Sequence, residues 1–120
     1  MIEIIEDLPE NVVGVTASGV VKEEDYDKIL KPLIEDKIQK HEKICFLYHL
    51  DENFDKFTRE ALLEDAKVGK EYFTSFEKIA VVSDKDWLLN TVEIFKFVIP
   101  ASVKTFSNEE LADAKAWVSE

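Results

Sequence analysis

The apolar positions change rhythm several times along the chain. Ile2 and Ile4 alternate with polar neighbours, Leu8-Pro9-Glu10-Asn11 reads as a reversal, and Val12 to Gly19 is rich in β-branched residues. Two strands joined by so short a turn must run antiparallel. From Glu23 to Lys40 the spacing becomes helical, with Tyr26, Ile29, Leu30, Leu33, Ile34 and Ile38 on one stripe. The acids Glu23, Glu24 and Asp25 suit the first turn of that helix, where its dipole favours negative charge. Pro32 lies inside the stripe and removes a backbone donor, so a bend is expected there.

Ile44 to Leu50 (ICFLYHL) is a continuous apolar run, the pattern of a central strand covered on both faces. Asp51 to Phe57 is acidic and aromatic and is expected to be a loop. Thr58 can cap a helix running to about Ser75, with Leu62, Asp65, Ala66, Gly69, Tyr72, Phe73 and Phe76 on its inner face. Ile79 to Val82 is a short buried strand, and Ser83 with Asp86 looks like a capping pair for a third helix that Pro100 ends. Val103 to Phe106 is the last strand. Ser107 with Glu110 forms a capping box for a final helix that turns Leu111, Ala114, Trp117 and Val118 inward. The order β-β-α-β-α-β-α-β-α predicts an α/β fold, with a mixed, mostly parallel sheet and an N-terminal antiparallel hairpin. No repeat or linker divides residues 1–120, so one domain is expected.

The third helix carries more apolar surface than one face can use. Leu88, Val92, Phe95 and Ile99 make a core-facing stripe, which leaves Trp87, Leu89, Ile94, Phe97 and Val98 spread over other faces. A helix in a small domain rarely buries its whole circumference. Either neighbouring helices cover the surplus, or it meets a ligand, a partner or a membrane surface.

Charge excludes several partners. The 120 residues hold 26 acidic and 15 basic side chains, a formal net charge of -11. Nucleic acid and anionic headgroups are repelled at long range by such a field. Arg59 is the only arginine, and a forked phosphate clamp is normally built from arginines. No apolar run approaches the ~20 residues of a membrane span. The opening MIEIIEDLPE carries acids where an export signal carries lysines. The single cysteine, Cys45, excludes an internal disulfide and fits a reducing compartment, so a cytoplasmic location is expected.

Candidate chemistry is sparse. Nucleotide-binding glycine loops, GxSxG, HExxH and CxxC are all absent. Cys45 and His49 share a strand face but stand roughly 13 Å apart, too far to share a proton or a metal. His49, Asp51, Glu52, Asn53 and Asp55 lie past the end of the central strand, where open α/β sheets place ligands. Asp51-x-Asn53-x-Asp55 resembles the start of a calcium loop. It fails where Lys56 replaces the glycine and Leu62 the closing glutamate, so no metal or other cofactor is expected. Arg59 could hold Asp55 or a ligand carboxylate. Phe54 and Phe57 either pin their loop to its own core or close over an apolar cleft beside the third helix. Gly14 and Gly69 are read as places of close backbone approach.

Glu24-Asp25-Tyr26 with Pro32, Lys78 to Trp87 (KIAVVSDKDW) and Phe106 to Trp117 (FSNEELADAKAW) resemble the SpoIIAA-like family of small bacterial proteins with a STAS-like fold. The resemblance implies a mixed sheet flanked by four helices and no enzyme. It implies docking to other proteins, as in anti-sigma-factor antagonists, and related folds hold lipophilic molecules. The phosphorylatable serine of the antagonists has no counterpart. The corresponding stretch, Asp51 to Arg59, contains Thr58 but no serine and no glycine.

Two functions follow as expectations. One is a non-enzymatic binding module for an apolar, lipid-like molecule, with Phe54, Phe57, Trp87, Ile94 and Phe97 as walls and His49 and Arg59 as polar anchors. Contact with a membrane would then be peripheral. The other is a STAS-type regulator that uses the same surface against a protein partner or a second copy of itself.

Overall fold

The computed structural model describes residues 1–120. Five strands form one sheet in the order β1-β2-β3-β4-β5: β1 (Ile2–Ile4), β2 (Val12–Val21), β3 (Ile44–Phe57), β4 (Phe76–Val82) and β5 (Ser102–Phe106). β1 pairs antiparallel with β2, and every other pair is parallel. The fold is therefore the expected α/β one with a mixed sheet. Because the parallel strands follow chain order, three right-handed crossovers place their helices on the same side. These are α1 (residues 23–40), α2 (Arg59–Tyr72) and α3 (Asp86–Phe95). The opposite side is covered by α4 (Leu111–Ser119).

Strand alternation divides the core accordingly. Val13, Val15, Ala17, Phe46, Tyr48 and Leu50 face the three crossover helices and pack with Tyr26, Leu30, Ile34, Ala61 and Val68. Val12, Cys45, Leu47, Ala80, Val82 and Phe106 face α4 and pack with its Ala114 and Val118. Leu8 and Ile5, from the turn between β1 and β2, close the rim of that second layer. A methyl group on Gly14 would collide with Leu8 and touch Ile5, so this glycine does mark a close approach.

The helix ends follow the side chains that cap them. Thr58 Oγ1 accepts from the Ala61 N–H at 3.1 Å and opens α2. The Ser107 N–H donates to Glu110 at 2.9 Å, completing the box that starts the final helix through a short 3-10 turn, Asn108–Glu110. In α1 the bend expected at Pro32 takes the form of a wide π turn, Tyr26–Leu30, just before it. Lys28, whose carbonyl an ordinary residue at 32 would have paired, lies inside that turn.

Four expectations change. Asp51 to Phe57 is not a loop, because β3 continues through it. Gly19 (φ +60) bends β2 so that Gly19, Val20 and Val21 pair with Phe54, Lys56 and Phe57. The inner face of α2 is shifted by one residue. Ala61, Glu64 and Val68 are buried, while Leu62, Ala66, Gly69 and Phe73 are exposed. Glu64 misled the pattern: a carboxylate can be buried here because it pairs with Lys31 of α1 and Lys67. Gly69 approaches nothing, since a Cβ there would stand in open space. Ser83 does not cap α3; its Oγ accepts from the Lys85 N–H at 3.0 Å, and the helix starts at Asp86.

Candidate functional site

α3 is the most apolar helix of the chain and buries none of its residues. Leu88, Leu89 and Val92 are half-buried, whereas Phe95 of the expected core stripe is exposed. Ile94 is 70% and Phe97 83% exposed, with Phe95 and Val98 beside them. The surplus inferred from the sequence is therefore on the outside. A polar tie supplements the apolar contacts under this helix: Thr105 of β5 donates to Glu93 at 3.1 Å, and Lys96 pairs with the same carboxylate at 2.6 Å.

Two apolar hollows open between α2 and α3, with the sheet as their floor. One, about 350 Å³, is lined by Gly69 and Lys70 of α2, Phe73 just after it, Phe76 and Ile79 of β4, and Val98 and Ile99 beyond α3. The other, about 240 Å³, lies toward the strand carboxyl ends. Its walls include Phe57, Leu62, Trp87, Leu88 and Val92, with Tyr48, Leu50 and Val81 below and Asp65 at one side.

The second hollow has a polar corner inside a greasy wall. Tyr26 donates to Asp65 Oδ1 at 2.8 Å, and the Tyr26 and Tyr48 hydroxyls are 2.9 Å apart. Burial drives both phenols far above their ordinary pKa, and the Asp65 charge adds to it, so both stay protonated. Asp65 is exposed as a residue at the groove edge, yet its carboxyl end takes a hydrogen bond from the buried Tyr26. Lost hydration raises its pKa, against the opposing hydrogen bond from Tyr26.

A different site lies across the sheet. His49 points to the α4 side, where its Nδ1 meets Thr16 Oγ1 at 3.1 Å and its Nε2 meets Asn108 Oδ1 at 2.9 Å. Asp51 binds Ser18 and accepts from the Asn53 N–H at 2.9 Å. His49, Asp51, Glu52, Asn53, Asn108 and Leu111 surround a polar recess of about 300 Å³. Its hydrogen bonds hold β2, β3 and the start of α4 together.

The seven residues expected to share a site are thus distributed. Phe57 and Trp87 meet at one hollow. Phe54 is only 3% exposed, its ring 5.0 Å from that of Phe57 and tilted against it, because the strand pairing draws it in. Ile94 and Phe97 stand on the outer ridge and line neither hollow. His49 belongs to the opposite face by strand alternation. Arg59 is exposed in the first turn of α2 and lines neither hollow. Tyr26, Tyr48 and Asp65 were missed as site residues, although an acid inside the apolar pattern of α2 was the available signal.

A mixed sheet with three crossover helices on one face and one helix on the other is the layout of a STAS-like α/β chain. The particular family follows: the chain belongs to the SpoIIAA-like family, whose model matches residues 12–119. This membership supports an interaction module. No curated protein is detectably similar in sequence. The fold is similar to that of an uncharacterized protein from Shewanella loihica PV-4, of the DUF3478 family with a SpoIIAA-like fold. That likeness has a TM-score of 0.78 at 23% identity and covers 98% of this chain and 92% of the other. No helix is long and apolar enough to cross a membrane.

Proposed function

We propose that the chain is a non-enzymatic binding module whose groove between α2 and α3 takes an apolar, lipid-like molecule. The observation that carries this reading is α3 itself, apolar yet without a single buried residue. The hollows beside it offer an acyl chain the floor of Phe76, Ile79 and Val81. Each large side chain fully desolvated by cargo would contribute on the order of 1.5–3 kcal/mol. Contact with a membrane would be peripheral, through the Ile94, Phe97 and Val98 ridge, because the net charge of -11 disfavours anionic headgroups.

Native mass spectrometry of the purified protein tests this directly. Co-purifying mass of lipid size is expected. Its absence, together with unchanged Trp87 fluorescence on adding detergent monomers, would count against the reading.

A second reading has its own support. Ile94, Phe95 and Phe97 form a ridge outside both hollows, which suits a protein partner or a second copy better than a small molecule. Phe97→Asp is then expected to abolish the complex or dimer while the far-ultraviolet spectrum is unchanged. A complex that survives Phe97→Asp would remove this alternative.

A further inference from the structure

We propose that the hollow beside Asp65 is a subsite for an organic cation, an alkylated ammonium group, with Asp65 as its counter-ion and Tyr48, Phe57 and Trp87 as its aromatic walls. This deepens the apolar-cargo reading and rests on it: the ammonium is the head, and the groove takes the chain.

The argument begins with counting protons. A phenol has one. When Asp65 is ionised, Tyr26 gives its proton to Asp65 Oδ1 at 2.8 Å, and in the 2.9 Å contact between the two hydroxyls Tyr48 is then the donor. Both phenolic protons are then committed within the cluster. With Asp65 ionised, what remains for a ligand is acceptor only: Tyr48 and Asp65 both line the hollow, and the second Asp65 oxygen takes no hydrogen bond from the protein. A cation beside it would favour that ionised form against the lost hydration. A ligand head placed here must donate hydrogen bonds or carry positive charge. A carboxylate or phosphate head does neither and would face Asp65 charge against charge.

Asp65 also lacks a protein counter-ion. Glu64, its neighbour in the chain, has both Lys31 and Lys67, whereas no lysine, arginine or histidine nitrogen comes within 4.0 Å of Asp65. Tyr26 instead fixes the carboxylate beside the hollow. The walls suit the same class of guest. The Tyr48 and Phe57 rings are 6.3 Å apart and nearly perpendicular at 81°, and Trp87 lines the same space. Tyr48, Phe57 and Trp87 put three aromatic rings on the walls beside an acid, and a ring face open to the hollow attracts a cation too bulky to be hydrated tightly. The net charge of -11 draws cations toward the protein from a distance.

The test uses the full chain in a Trp117→Phe background, so that Trp87 alone reports. Octyltrimethylammonium, octanol and octanoate are titrated below their micelle concentrations, with tetramethylammonium as a chainless probe. Octyltrimethylammonium is expected to bind at least tenfold more tightly than octanoate. Asp65→Asn, which still offers Tyr26 an acceptor oxygen, is expected to erase that preference and leave octanol unchanged. Phe57→Leu provides a second variant that keeps the wall apolar but removes a ring, and it should weaken the cation more than the alcohol. Tetramethylammonium binding near that of the octyl compound would point to free amines as the source, and binding only with the chain to a lipid headgroup. Octanoate binding as tightly as the cation, or a preference that persists in Asp65→Asn, would overturn the ammonium subsite while leaving apolar cargo standing. If none of the chain-bearing probes binds, both readings fall.

Discussion

The two faces of the sheet are built to different tolerances. Under α4, a helix of 9 residues buries Ala114 and Val118 completely against Cys45, Leu47, Ala80 and Val82, and the turn at Leu8 closes over Gly14. Under α3, a helix of 10 residues with more apolar side chains buries none of them and leaves two hollows between it and α2. Hydrophobic content and burial therefore run in opposite directions in these two helices. The area a helix can hide is set by the floor beneath it and by its neighbours, not by its own composition. α4 is a structural lid, and the surplus on α3 is surface available to something else.

Substitutions can break that contrast in graded steps. Val118→Asp places a carboxylate in the tight layer, where Val118 is 1% exposed, and should cost at least about 3 kcal/mol or unfold the chain, as read by urea denaturation. Gly14→Ala forces Leu8 aside on the same face and should cost about 1–3 kcal/mol. On the loose face, acid tests the pair that ties α1 to α2. The hydrogen bond from Lys31, assisted by Lys67, lowers the Glu64 pKa. A folded value below the unfolded one means that its stabilisation is complete above the ordinary range, about 4.3. It is lost as pH falls through the lowered value. Glu64→Gln should therefore flatten the acid limb of a stability–pH curve. Gly69→Ala adds a methyl group in open space inside α2 and should stabilise by about 0.5–1 kcal/mol. Ile94→Asp, the counterpart of the first change on the exposed helix, should shift stability by no more than about 0.5 kcal/mol. A loss as large as that of Val118→Asp would show that α3 is seated after all.

The frame of the molecule was readable because its signals are local. The short turn after β1, the Thr58 cap, the Ser107–Glu110 box and the unbroken apolar run of β3 each need only a few neighbouring residues. The surplus on α3 was readable for the same reason, since it is a count of faces. What escaped depends on pairing between distant segments. The extension of β3 through Phe57 requires the bulge at Gly19, more than thirty residues earlier. The one-residue rotation of α2 requires Lys31 to receive Glu64. The grouping of Tyr26, Tyr48 and Asp65 joins three elements that no periodicity connects. His49 and Phe57 fell into one imagined site because a loop was expected between them. A strand instead sends His49 to the α4 side, and the register shifts between Leu50 and Lys56 return Phe57 to the opposite one.

Cys45 has a consequence for how the molecule can be watched. Its thiol is sealed beneath α4 and its pKa is raised, chiefly by burial. A thiol-directed reagent can reach the sulfur only when that helix swings away, so the labelling rate is a clock for the undocking of α4. As the chain's sole cysteine, it serves this purpose without engineering, and cargo entering on the far side of the sheet should leave the clock's rate unaltered.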